Sequence, residues 1–151
     1  MKTIAIIVAV VLIIPSTVLM ASENDINVQN LVNTAIAFFQ ERGQDYSMKA
    51  FNTLHGPFVK GPLYVVAGTL DGRVLAHPFD KSLLEKTVLD VKDANGKFLF
   101  QEIIAVAKNQ EDGWVDYSWP HPGTKEAVQK RCYVKRIPSQ DIWVAAAYYV
   151  K

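Results

Sequence analysis

The chain has 151 residues, half of them hydrophobic, with 16 basic side chains against 15 acidic ones. That length builds one domain with a proper core and is short for two. A balanced charge with no basic block excludes a nucleic-acid surface, and a single cysteine, Cys132, excludes an internal disulfide.

In chain order, Met1-Lys2-Thr3 leads into an apolar run from Ile4 to Ile14, then Pro15-Ser16-Thr17 and a small residue at Ala21. This is the pattern of a secretory signal peptide over residues 1–21, which leaves 22–151 as the domain. The run is short of the ~20 apolar residues that cross a bilayer. Leu19, however, is larger than the residue usual three places before a cleaved bond, so membrane anchoring through residues 4–21 is the alternative. No Cys lies near 21 to carry a lipid. The expected location is periplasmic or secreted, where ATP, NADH and reduced glutathione are not ready partners.

Ile26, Val28, Leu31, Val32, Ala35, Ile36, Phe38 and Phe39 recur at helical spacing, predicting a helix over 26–42 capped by Asn24 or Asp25 and closed by Gly43. A short helix from Tyr46 to Leu54 ends at His55-Gly56-Pro57. Strand character follows in Leu63 to Gly68 and, after an Asp71-Gly72 turn, in Arg73 to His77, stopped by Pro78. Residues 79–97 form an excursion with a turn at Asn95-Gly96, and Phe98 to Lys108 reads as a helix. Gly113–Trp119, Val128–Ile137 and Ile142–Val150 read as three more strands. Short connections favour antiparallel pairing, with the long helix on one face of a two-layer α+β domain.

The densest chemistry lies in the last three strands. Alternation puts Tyr117 and Trp119 on one face of theirs, and Tyr148 and Tyr149 stand near the chain end. Between them, Arg131, Tyr133 and Lys135 alternate onto one face of the strand carrying Lys130. Rings with hydroxyls and a buried cation suit a small carboxylate, because a charge-assisted hydrogen bond is about twice as strong as a neutral one. The competing reading makes the rings core and the lysines solvated. His77, before Pro78, either donates to a ligand or satisfies its own loop. The histidines at 55, 77 and 121 have no ligand spacing, so no metal is expected. There is no Gly-rich phosphate loop, Gly-x-Ser-x-Gly elbow or Cys-x-x-Cys-His motif, so no cofactor is expected either. Cys132 with His77 and Asp116 has the residue types of a thiol enzyme, but a mid-strand Cys is ordinarily a small buried apolar residue.

Leu63-Tyr64-Val65-Val66 with Asp71-Gly72-Arg73-Val74-Leu75-Ala76-His77-Pro78 resembles the opening hairpin of single Cache domains. Asp93-Ala94-Asn95-Gly96-Lys97, Gly113-Trp114-Val115-Asp116-Tyr117-Ser118-Trp119-Pro120, Lys130 with Tyr133-Val134-Lys135-Arg136-Ile137-Pro138, and Trp143 to Tyr149 continue the likeness in family order. The resemblance implies a PAS-like fold: a long N-terminal helix packed on a five-stranded antiparallel sheet whose far face holds a ligand. It implies a sensor rather than an enzyme, of the kind found in chemoreceptors and histidine kinases and often specific for small organic acids. Tyr117, Trp119, Lys130, Tyr133, Lys135, Tyr149 and His77 match characteristic positions, the first five being expected at the pocket or its rim. Lys130 and Lys135 fall on opposite faces unless a bulge intervenes. Glu85 and Ala147 stand where the family commonly has Gly, the second narrowing the pocket. The expected partners are a small carboxylate, a membrane receptor or histidine kinase, and a second copy through the N-terminal helix. The alternative is an interaction module of the same fold that binds no ligand.

Overall fold

The computed structural model describes residues 22–121 and 123–150; the expected leader lies outside them. Helix α1 (Glu23–Arg42) begins with a capping box in which Ser22 Oγ accepts from the Asp25 N–H while the Asp25 carboxylate accepts from the Ser22 N–H. The helix therefore starts at Glu23 rather than Ile26. Gly43, at φ 78°, ends it and opens α2 (Gln44–Phe51). The remaining elements are β1 (Val59–Lys60), β2 (Leu63–Thr69), β3 (Val74–Ala76), a 3₁₀ turn at Lys81–Leu83, α3 (Leu99–Asn109), β4 (Asp112–Pro120), β5 (Ala127–Arg136) and β6 (Ile142–Tyr149).

Among the described residues the strands pair antiparallel, in the order β1-β2-β6-β5-β4, with β3 also on β2. The sheet has six strands, one more than expected, because Val59–Lys60 adds a two-residue strand. Val28, Leu31, Val32, Ala35, Ile36 and Phe39 of α1 pack on Val65, Ala67, Tyr133, Val144 and Ala146. Leu99, Phe100, Ile103, Ile104 and Ala107 of α3 pack on the opposite face, against Val115, Cys132, Val134, Trp143, Ala145 and Ala147. The domain thus has three layers, and the far face is partly roofed by α3 and the loop before it. No helix among the described residues is long and apolar enough to cross a membrane.

Register decides which side chains meet. Tyr117, Lys130 and Tyr149 form one row across β4, β5 and β6, and Val115, Cys132 and Ala147 form a second row on the same face. The alternate rows, Asp116–Arg131–Tyr148 and Trp114–Tyr133–Ala146, belong to the α1 face. There the first turn of α1 is clamped down: Tyr148 Oη donates to Asp25 Oδ1 at 3.0 Å, and Arg131 lies 3.4 Å from the same oxygen and 4.9 Å from the Trp114 ring centre.

Candidate functional site

On the α3 side of the sheet lies a cavity of about 40 Å³. That is room for a few waters or one small organic molecule. β2 supplies Tyr64 and Val66, β4 Tyr117 and Trp119, β5 Lys130 and Cys132, and β6 Trp143, Ala145 and Ala147. Phe100 and Ile103 of α3 cover the apolar end, and His77, after β3, closes one side. A Cβ on Gly68 would stand 2.5 Å from the Trp143 ring, so this glycine lets the indole lie flat on the sheet and form the floor. The indole N–H donates to the Thr69 carbonyl at 3.1 Å.

Lys130 is the polar centre. Its side chain is 1% exposed, and Nζ lies 4.8 and 4.7 Å from the ring centres of Tyr64 and Tyr149 and 3.4 Å from Tyr64 Oη. Among the described residues it forms no ion pair. Burial pulls its pKa down to about 8, so the ammonium form still predominates at neutral pH. The electron-rich ring faces partly replace the lost water.

His77 is 6% exposed and its ring Nδ1 accepts from the Asp80 N–H at 2.8 Å. That assigns the proton of the neutral ring to Nε2, leaving a donor on a ring that lines the cavity. Burial lowers its pKa to about 4, with Lys130 adding to the effect and Asp80 opposing it. Asn52 fixes the same corner by accepting from the His77 N–H at 3.0 Å. Burial also holds the Tyr117 and Tyr64 hydroxyls protonated. The Tyr149 hydroxyl is buried without a hydrogen-bond partner among the described residues.

Of the expected site residues, Tyr117, Trp119, Lys130 and His77 line the cavity, and Tyr149 stacks on Lys130 from outside. Tyr133 and Lys135 do not join them, which corrects the grouping. Tyr133 belongs to the core under α1, and Lys135 Nζ reaches Asn33 Oδ1 of α1 at 3.1 Å. The cause is strand alternation, since β5 pairs without a bulge from Ala127 to Arg136. Tyr64, Trp143 and the α3 residues were not foreseen; the signal for Tyr64 was its place on a strand that pairs with β6.

The same alternation separates the thiol constellation. Cys132 faces the cavity, while Asp116 is exposed and lies in the row with Arg131 on the α1 face. Burial pushes the Cys132 thiol up to about 12, opposed by Lys130, so it is not a thiolate at neutral pH. Among the described residues no three His, Cys, Asp or Glu side chains converge as a metal site.

A Cache chemosensory domain whose structure concerns carboxylic acid recognition superposes with a TM-score of 0.73 at 25% identity, over 83% of this chain and 92% of that one. The periplasmic sensor domain of a chemotaxis protein gives 0.66 at 26% identity, over 82% and 88%. A methyl-accepting chemotaxis protein from Vibrio parahaemolyticus shares the fold, with a TM-score of 0.71 at 16% identity, over 83% and 87%. By sequence, 87 residues are 29% identical to the methyl-accepting chemotaxis protein McpP of Pseudomonas putida, which is 58% of this chain but only 16% of that receptor. The matched domains are sensors, and a family model described as Cache domain (dCache_2) matches residues 23–151. The chain therefore belongs to the Cache domain family.

Proposed function

We propose that this domain is an extracytoplasmic receptor for a small carboxylate, which it captures between β4, β5, β6 and α3 and reports to a membrane partner such as a chemoreceptor or histidine kinase. The observation that carries this reading is Lys130, a buried cation with no carboxylate of the described residues beside it. Burying an ammonium group is costly unless an anion accompanies it, and an arriving carboxylate supplies one. The N–H of His77 and the hydroxyls of Tyr64 and Tyr117 are the further donors, while Trp143, Phe100 and Ile103 suit a short apolar tail. A single cation favours one carboxylate over two. The carboxylic acid recognised by the structural relative supports the same chemistry.

In this reading the pattern over 1–21 acts as a leader that carries the domain out of the cytoplasm. A homodimer through α1 belongs to the same proposal, as an arrangement in which partner domains sense the ligand together. The test is calorimetry on the full chain with acetate, propionate, lactate and pyruvate at pH 7, beside succinate and the uncharged amide of each acid. A ligand at 100 times its Kd adds about 2.7 kcal/mol of stability, so thermal melting supplies a second readout. Binding of monocarboxylates that is absent with the amides and lost in Lys130→Met supports the reading. Equal binding of amides, or no binding of any acid, sinks it and favours a ligand-free interaction module.

A further inference from the structure

Two of the cavity's rings, Tyr117 and Trp119, stand on β4, an edge strand with no strand partner on its outer side among the described residues. Between them sits Ser118, whose backbone N–H and C=O point away from β5 and are buried with the residue. An edge strand whose buried outer groups lack partners frays, and its side chains lose their aim.

What satisfies that edge is the turn at 93–97. The Asp93 carboxylate gathers three backbone donors, with Oδ1 accepting from Asn95 and Lys97 and Oδ2 from Ser118, each at 2.9 Å. The Ala94 N–H reaches the Ser118 carbonyl at 3.4 Å, and Lys97 Nζ reaches the Asp116 carbonyl at 2.7 Å. The Asp93 side belongs to a residue only 7% exposed. Burial acts to raise its pKa, yet the three N–H groups hold it below the usual carboxylate range. We infer that Asp93 is the positioning residue of the pocket's aromatic wall: one of its oxygens shapes the turn and the other holds β4 so that Tyr117 and Trp119 face Lys130.

The inference rests on the carboxylate-receptor reading for its ligand, but its geometry is testable without one. Asn is nearly isosteric with Asp and has only one acceptor oxygen. Asp93→Asn therefore keeps either the turn or the tie to Ser118, and sets an N–H₂ group against an N–H at the other. The Tyr117 and Trp119 rings are 6.3 Å apart at 75°, a fixed pair that contributes to the near-ultraviolet circular dichroism. That contribution is identified as the band lost in Trp119→Phe.

In the full chain, well below its melting temperature, Asp93→Asn is expected to lose the same band and to weaken acetate binding at least tenfold. Phe58→Leu, in the core on the opposite face of the sheet, is the control for destabilisation alone; it is expected to keep the band and to leave Kd within twofold. Lys97→Met removes the contacts of Nζ to the Asp116 carbonyl and, at 2.8 Å, to Glu102 Oε2, keeps the backbone N–H that Asp93 accepts, and is expected to diminish the band and weaken acetate at least threefold. It decides the matter if Asp93→Asn does not fold. A folded Asp93→Asn that keeps both band and affinity overturns the inference, as does an unaffected Lys97→Met where Asp93→Asn is unfolded. Should the wild type bind no acid, the carboxylate reading fails by itself, and the band alone judges Asp93.

Discussion

Replacing Lys130 with Met separates what the buried ammonium does for binding from what it does to the fold. Its pKa falls from 10.5 to about 8 on folding, chiefly through burial. At ~1.4 kcal/mol per unit, holding the charged form inside costs on the order of 3 kcal/mol at pH 7. Met has a similar length and no charge, but loses the attraction to the Tyr64 and Tyr149 rings, worth up to ~2 kcal/mol. Lys130→Met is therefore expected to stabilise the unliganded protein by about 1–3 kcal/mol while abolishing acid binding. The pH dependence gives the sharper check. Between pH 8 and about 10.5 the unfolded chain holds a proton on Lys130 that the folded one has released, so Lys130 contributes a rise of stability with pH across that window, while the buried Cys132 thiol and the Tyr64 and Tyr117 hydroxyls, with raised pKa values, contribute a fall. Urea titrations at pH 7 and pH 10 isolate the lysine as the difference between the two proteins: the change in stability from pH 7 to pH 10 should be more favourable in the wild type than in Lys130→Met by about 2–3 kcal/mol. A variant less stable than the wild type at pH 7, with the same pH slope, would refute the reasoning.

Acid binding runs the other way. Once Lys130 loses its proton above about pH 8, Kd should climb by up to about tenfold per pH unit, as calorimetry at pH 7 and 9.5 would show; a flat profile would remove Lys130 from the site. For His77, burial lowers the pKa from 6.5 to about 4, so the unfolded state binds the extra proton in that window. Stability should fall as pH drops through it, by about 3 kcal/mol in the wild type and by much less in His77→Gln, measured by urea denaturation. Gly68→Ala brings a methyl to 2.5 Å from the Trp143 ring. It should cost about 1–3 kcal/mol and weaken acid binding as the indole is pushed into the cavity; unchanged stability and affinity would show that the floor yields.

Much of the fold could be read from local pattern. The α1 stripe, the Asp71-Gly72 turn, α3 and the last three strands fall within a residue or two of their expected places. The apolar stripe starts only at Ile26, whereas the helix starts at Glu23, because the Ser22-x-x-Asp25 capping box beside the expected leader sets its first turn. Which face α3 covers depends on the whole topology and is not written in its own periodicity, so the third layer was missed. At the site, alternation alone already opposed Lys130 to Lys135, and the uninterrupted pairing of β5 upholds that rule against the grouping drawn from family resemblance. The wall from Tyr64, Phe100 and Trp143 needs elements far apart in the chain, which no local spacing reveals.

The two central strands carry both the cavity and the seat of α1. Lys130 and Tyr149 look toward the ligand space, while their immediate neighbours Arg131 and Tyr148 grip Asp25 in the first helical turn. Because adjacent residues share one backbone, a tilt of the strands that brings the ammonium nearer an anion also turns the guanidinium and phenol behind it. If an acid that enters the cavity shifts the strands in this way, linkage works in both directions: loosening the helix seat should change acid affinity by the same factor by which the acid changes the seat. The start of the helix, next to residue 22, is thus a handle on the cavity from the other side of the sheet.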